Sequence, residues 1–353
     1  MTLSAPDLRP LAITMGDPCG IGPEIIVKAW TQDPQALAGA FVVGDVGVMR
    51  RAMALVHHAQ PWPVVEIESA PQALSPPPHC LPVLQAVTPL PELAWGQLNA
   101  LAGQAAGDCV VWAARAALRN EVAAMVTAPL HKEALSLAGM PYNRFPGHTE
   151  VLQAEAADFL HQPLDQVPVR MMLANEELRT VLVSIHVSLR QAIEAVTEPQ
   201  ILETLRITHT ALLALLGRPP RIAVAGLNPH AGEGGLFGDE EIHIITPAIE
   251  AARNLGIDAI GPIAPDTVFM RARCPKGQAG EFDVVIAMYH DQGLIPVKYM
   301  GLDQGVNVTL GLPLVRTSPD HGTAFDIAGQ GVADAGSLLQ AIRMARTLSS
   351  RAG

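Results

Sequence analysis

The stretch DVVIAMYHDQGLIPVK, residues 283–298, decides how this chain is read. Its apolar run, Val284 to Met288, delivers Tyr289, His290, Asp291 and Gln292 in succession, and Lys298 follows eight residues past the histidine. Five apolar residues bounded by polar ones read as a buried parallel strand, and open α/β sheets gather their ligands beyond the carboxyl ends of such strands. His290 is thereby placed where chemistry is usually found.

Outward from there the same construction occurs twice more. Thr180 to Ile185 runs into His186, and Arg221 to Leu227 runs into Asn228, Pro229 and His230. A single histidine at a strand end is ordinarily a satisfied core or surface residue. Three of them point to one metal site, because imidazole suits Zn, Co, Ni and Fe, and three protein ligands leave positions open for a substrate.

Composition narrows the class. The 353 residues are 49% hydrophobic and 16% charged, which suits a folded chain of two domains or one large α/β unit. A formal net charge of −11 argues against nucleic acid or an anionic membrane as the main partner, while leaving room for a phosphorylated metabolite in a local basic pocket. No apolar stretch approaches the ~20 residues of a membrane span. The N-terminus MTLSAPDLRP lacks a basic segment followed by an apolar one, so a cytoplasmic protein is expected. Cys19, Cys80, Cys109 and Cys274 show no CxxC spacing, which predicts neither a disulfide framework nor a thiolate metal site.

From the start of the chain, Leu11–Met15 reads as a strand and Glu24–Trp30 as a helix, joined by the turn GDPCGIGP. Its glycines at 16, 20 and 22 match neither GxGxxG nor GxxxxGK[ST], which disfavours an ordinary Rossmann site. The proline-rich stretch 61–91 reads as loops and edge strands. A long helix over Gln97–Asn120 leads into the strand Val122–Thr127. Beyond it His131, Lys132, His148, Thr149 and Glu150 stand near strand ends or helix starts. A helix N-terminus at Gly147–Glu150 would offer amides to an anion, with Thr149 as a plain N-cap the equally good local alternative. Residues 272–281 read as a flexible loop, and a final alanine-rich helix closes the chain.

The set MGDPCGIGPE, VTAPLHKEAL, GHTE, SIHVSLR, GLNPHAGEGG, PDT, AMYHDQGLIPVKY, GVNVTLGLP and RTSPDHGTAFDIAG resembles the 4-hydroxythreonine-4-phosphate dehydrogenase family of pyridoxal phosphate synthesis, in order and over nearly the whole chain. The resemblance implies a homodimeric, metal-dependent enzyme. It would use NAD to oxidise the secondary alcohol of 4-phosphohydroxy-L-threonine, and loss of CO₂ would then give 3-amino-2-oxopropyl phosphate. Carried over residue by residue, His186, His230 and His290 would bind one divalent ion (Zn, Mg or Co), one of them donated across the dimer interface. His148, Thr149, Lys298, Asn307 and Arg316 would bind substrate. Lys298 supplies fixed charge beside the reaction, and Asp266 and Asp291 are nominated to orient a ligand or relay a proton.

The wider isocitrate/isopropylmalate dehydrogenase-like group is resembled at two places. GDPCGIGPE is similar to its N-terminal turn and HGTAFDIAGQGVAD to its adenosine-binding loop, which nominates His321, Gly322, Thr323, Ala324 and Asp326 for the cofactor. Asp326 there favours NAD over NADP, since a carboxylate repels a 2′-phosphate. The implied fold is α/β and two-lobed, with a cleft active site. Residues 1–130 plus 303–353 would form a cofactor-side lobe and 131–302 a metal, substrate and dimerisation lobe. The rival readings are a sister dehydrogenase of threonate or erythronate 4-phosphate, or of a dicarboxylate cis-dihydrodiol such as that from terephthalate, and, more remotely, a non-catalytic metal-binding module. Asn143, Arg144 and Phe145 before GHTE are extra to the family pattern and leave the substrate open.

Overall fold

The computed structural model describes residues 9–57, 60–275, 278–301 and 305–350. The expected lobe boundary at 302/303, most of the N-terminal stretch and the centre of the 272–281 loop lie outside them. The described chain divides into two compact units, Met1–Pro168 with Leu312–Gly353, and Val169–Gly311.

In chain order the first unit contributes β1 (Leu11–Thr14), α1 (Gly22–Gln32), β2 (Ala40–Gly44), α2 (Val46–Val56), β3 (Val64–Ile67), β4 (Leu81–Gln85), α3 (Ala100–Leu118), β5 (Ala124–Thr127), α4 (Lys132–Leu137) and α5 (His148–Leu160). The second contributes β6 (Arg170–Ala174), β7 (Arg179–Leu182), α6 (Leu189–Ala195), α7 (Glu198–Leu216), β8 (Ile222–Ala225), α8 (Thr246–Asn254), β9 (Ala259–Ile263), α9 (Val268–Ala272), β10 (Val284–Ala287), α10 (His290–Tyr299) and β11 (Val306–Leu310). The chain then returns to the first unit as β12 (Arg316–Pro319) and α11 (Gly336–Ser349).

The strands of the first unit run β3-β4-β2-β1-β5-β12, every pair parallel. Parallel strands are covered on both faces, which is why β1, β2 and β5 are buried at every residue. The proline-rich stretch expected as loops and edge strands places only β3 at an edge. β4 lies inside the sheet between β3 and β2, its proline notwithstanding. Helix starts follow local chemistry: Asp45 accepts from Val48 N at 2.7 Å before α2, and Asn99 accepts from Leu101 N at 2.8 Å before α3.

The strands of the second unit run β11-β6-β7-β10-β8-β9, antiparallel over the first two pairs and parallel thereafter. As the apolar run required, β10 is fully buried and pairs in parallel with both neighbours, Ala287 opposite Leu182 and Ile286 opposite Val224. The segment 131–168, assigned from the sequence to the second lobe, belongs to the first unit: Gly103 of α3 meets the Ala134 carbonyl of α4 without room for a Cβ, and Arg115 of α3 binds Glu155 of α5 at 2.7 Å. Among the described residues no helix is long and apolar enough to cross a membrane. All four cysteines are free thiols.

Candidate functional site

The three histidines leave the carboxyl ends of three adjacent strands, β7, β10 and β8. His186 follows Leu182 by four residues, His230 follows Ala225 by five, and His290 is the first residue of α10 rather than part of a loop. His186 and His230 have φ of +42° and +53°. His230 also opens a left-handed run through Gly234, in which Ala231 and Glu233 share the conformation. A non-glycine residue there costs about 1–2 kcal/mol, so the run persists only because something holds it. That clamp is Glu241, 2% exposed, which accepts hydrogen bonds from Leu227 N and Asn228 N, both at 2.7 Å, and from Asn228 Nδ2 at 2.9 Å. Glu241 opens a five-residue π-helical turn ahead of α8, a distortion that often marks functional segments.

His186 and His290 are brought together, their ring centroids 5.7 Å apart. They share a cavity of about 260 Å³ with Ser184, Tyr289 and Asp291. Asp291 Oδ1, 2.7 Å from His290 Nδ1, accepts a hydrogen bond from it, which leaves Nε2 as the nitrogen that could hold a metal. His230 instead lines a second cavity of about 740 Å³ with Pro265, Asp266, Tyr289, Asp291 and Gln292. The start of α10 is thus a partition, with two histidines on one side and one on the other. Among the described residues no three histidine, cysteine, aspartate or glutamate side chains converge to hold a metal. The donor chemistry nevertheless fits a divalent ion, through two neighbouring imidazoles, one with a carboxylate behind it.

In the first unit α5 begins at His148, and its N-cap is Gly147, so Thr149 lies inside the first turn and is not the cap. His148 Nε2 is sealed from solvent and has no hydrogen-bond partner. Burial, reinforced by the nearby Arg316 and Lys132, holds its imidazole well below the ordinary range, hence neutral. Arg316, 3% exposed at the start of β12, donates to Thr127 Oγ1 from Nε at 3.1 Å and from Nη2 at 2.7 Å. Burial pulls its guanidinium down to about 10, with Glu150 opposing. A helix N-terminus, a buried arginine and a nearby lysine make a corner whose charge suits an anion, with the Glu150 carboxylate close to Arg316.

The two stretches likened to the wider dehydrogenase group meet in this unit. Ile21 N donates to Thr323 O at 3.0 Å, and a Cβ on Gly20 would collide with Thr323 at 2.9 Å. His131 stacks on Phe325 with centroids 4.6 Å apart. Gly20 therefore serves close packing against the 321–326 loop, while Gly16 lies against the Pro129 carbonyl and Gly22 against that of Met15. Thr323 is buried as the anchor, Ala324 is left-handed at φ +41°, and His321, Gly322 and Asp326 face solvent. These exposed polar groups suit the ribose and adenine of a nucleotide. Behind the turn Asp17 is buried, with Oδ2 unpartnered; burial raises its carboxyl and, with Asp17 beside it, pushes the Cys19 thiol up to about 11.

Lys298 stands in the last turn of α10, eight residues or about 12 Å along the helix from His290, and Asn307 lies on β11 opposite Leu173. Arg144 is an exposed residue of a 3₁₀ turn, near Phe145. Sequence reasoning missed Ser184, Glu241 and the role of Gln292. None of the three carried a signal of its role, since Gln292 acts from the third residue of a helix that the sequence pattern does not show.

A profile of the family described as pyridoxal phosphate biosynthetic protein PdxA matches residues 36–345. A 4-hydroxythreonine-4-phosphate dehydrogenase of Beijerinckia indica is 54% identical, covering 96% of this chain and 95% of that protein. A D-threonate 4-phosphate dehydrogenase of Salmonella typhimurium is 43% identical, covering 97% of this chain and 100% of that protein. The crystal structure of a 4-hydroxythreonine-4-phosphate dehydrogenase from Klebsiella pneumoniae superposes with a TM-score of 0.82 at 42% identity, covering 97% of this chain and 99% of that one.

Proposed function

Because the chain belongs to the pyridoxal phosphate biosynthetic PdxA family, we propose that it is the dehydrogenase that oxidises 4-phosphohydroxy-L-threonine with NAD, the product then losing CO₂ to give 3-amino-2-oxopropyl phosphate. The observation that carries a phosphorylated substrate is the anion corner, where buried Arg316 and the sealed His148 Nε2 accompany the first turn of α5. Thr149, in the same first turn, joins them in that reading.

His186, His290 and His230 would hold a divalent cation, which would supply electrophilic polarisation of oxygen at the reacting carbon, with a nicotinamide supplying the hydride acceptor. The chain does the rest. Asp291 keeps His290 in one tautomer. Asp266, exposed in the His230 cavity, takes the alcohol proton as the C–H pair leaves as hydride. On decarboxylation the carbon–carbon bond breaks, its electron pair remains on the substrate, and a proton returns from the same carboxyl. Lys298 adds positive charge that opposes the carboxylate's. His321, Gly322, Thr323, Ala324 and Asp326 hold the adenosine end of the cofactor.

A shared metal site is supported by the separation of the histidines within one chain. His186 and His290 face one cavity and His230 another, each beside exposed apolar side chains, Val187 and Leu189 on one side and Leu236 and Phe237 on the other. A second copy that covers both patches completes the set.

The second reading, D-threonate 4-phosphate as substrate, is favoured by the 43% identical Salmonella protein and uses the same anion corner. NAD reduction is measured with both phosphorylated acids, their unphosphorylated counterparts and a dicarboxylate cis-dihydrodiol. The proposal expects the highest kcat/KM with 4-phosphohydroxy-L-threonine. A preference for D-threonate 4-phosphate installs the second reading, and a preference for an unphosphorylated acid removes both. His290→Ala is expected to abolish metal binding and lower turnover by orders of magnitude in a folded protein; full activity in that variant or in metal-stripped protein would contradict the metal assignment.

A further inference from the structure

The hydrogen-bond ladders between β7, β10 and β8 end at the point where their histidine-bearing turns begin, and side chains carry the pairing onward. Continued past Ile286 opposite Val224, the β10–β8 register sets Met288 opposite Gly226. The carboxamide of Gln292 spans these two residues: its Oε1 accepts from Met288 N at 2.7 Å and its Nε2 donates to Gly226 O at 2.8 Å. On the other flank of Met288, Ser184 Oγ donates to Met288 O at 3.0 Å. Both Gly226 and Met288 are buried, so no bulk water replaces the amide.

Gly226 leads to the clamped left-handed turn of His230, and Met288 is two residues before His290. One planar amide, bonded at both ends, therefore fixes the separation of the two turns. We propose that Gln292 is a positioning residue for the metal site, anchoring the His290 turn to the strand end that leads to His230, with Ser184 holding the His186 strand to the same point. A ligand turn free to shift by even half an ångström forfeits part of its metal affinity, and partners behind metal ligands commonly change affinity ten- to a hundredfold.

The inference rests on the metal reading above, and the experiment separates the two. Metal-free, full-length parent, Gln292→Met, Gln292→Glu and His290→Ala proteins are titrated with Co²⁺ by calorimetry, and their metal-free melting is recorded alongside. Methionine matches the volume of glutamine and makes neither bond; glutamate keeps the acceptor for Met288 N and loses the donor to Gly226 O. The expected result is a Co²⁺ affinity about ten- to a hundredfold weaker in Gln292→Met, a smaller loss in Gln292→Glu, and a metal-free melting temperature that does not track the loss. Parental affinity in a folded Gln292→Met overturns the positioning role. Should that variant not fold, Gln292→Glu decides, parental affinity overturning and weakened affinity supporting. If His290→Ala binds Co²⁺ as the parent does, the metal reading itself has failed.

Discussion

Arg316 and His148 put opposite demands on the anion corner, one permanently charged and one held neutral by its surroundings. Charge-assisted bonds to phosphate contribute on the order of 1.5–3 kcal/mol, so Arg316→Ala is expected to raise KM for the phosphorylated substrate by roughly ten- to a hundredfold. Arg316→Lys is not expected to restore it, because the two bonds to Thr127 need a guanidinium fork. Equal KM in Arg316→Ala and the parent removes the phosphate assignment. His148 makes a pH prediction. Its folded value lies well below the ordinary histidine value of 6.5, so beneath that pH the unfolded chain binds a proton that the folded chain refuses. Its contribution to stability is therefore full above about 6.5 and is lost as pH falls from there toward the folded value. Urea midpoints followed downward from about pH 7.5 should fall more steeply in the parent than in His148→Gln. Bound sulfate, an anion whose charge is constant over this range, should flatten the parental slope by favouring the imidazolium; identical slopes for parent and variant would exclude His148 as the source.

At the scale of the element, the turn from Leu227 to Gly235 stores strain that Glu241 offsets. Glu241→Ala leaves three N–H groups without their acceptor, for an expected loss of about 3 kcal/mol in urea unfolding. Glu241→Gln retains an acceptor oxygen for the two backbone donors and should lose about 1 kcal/mol. An unchanged midpoint in Glu241→Ala would show that the left-handed run needs no clamp. This element also marks the boundary of what the chain discloses locally. β10 was legible because five apolar residues in a row bury both faces of a strand, and the same logic found the ends of β7 and β8. α10 was not, because Gly293 and Pro296 interrupt the helical pattern and its N-cap, Tyr289, makes no side-chain capping bond of the kind a serine or aspartate announces. The left-handed path of His230, Ala231 and Glu233 was not legible either, because it depends on a carboxylate in a separate element. The placement of 131–168 failed for a similar reason, since only packing on α3 reveals which unit those residues join.

On the scale of the whole molecule, the second unit exposes apolar side chains around its histidines, with Leu189 60% and Leu236 72% accessible, the kind of surface a partner covers. Leu189→Glu and Leu236→Glu are each expected to shift sedimentation from dimer to monomer and to weaken Co²⁺ binding in parallel. A monomeric variant with parental affinity would show that each chain builds its metal site alone. The discontinuity of the first unit has a consequence for biosynthesis. β5 acquires its neighbour β12 only when Arg316 follows Thr127 out of the ribosome, 189 residues later (316 − 127). At ~5–20 residues per second the nascent sheet waits roughly 10–40 s with a buried-type strand as its open edge. For that interval the emerging polypeptide is a substrate for strand-capturing chaperones and for aggregation, and slowing translation over residues 128–315 should lower the yield of native enzyme without altering a single side chain.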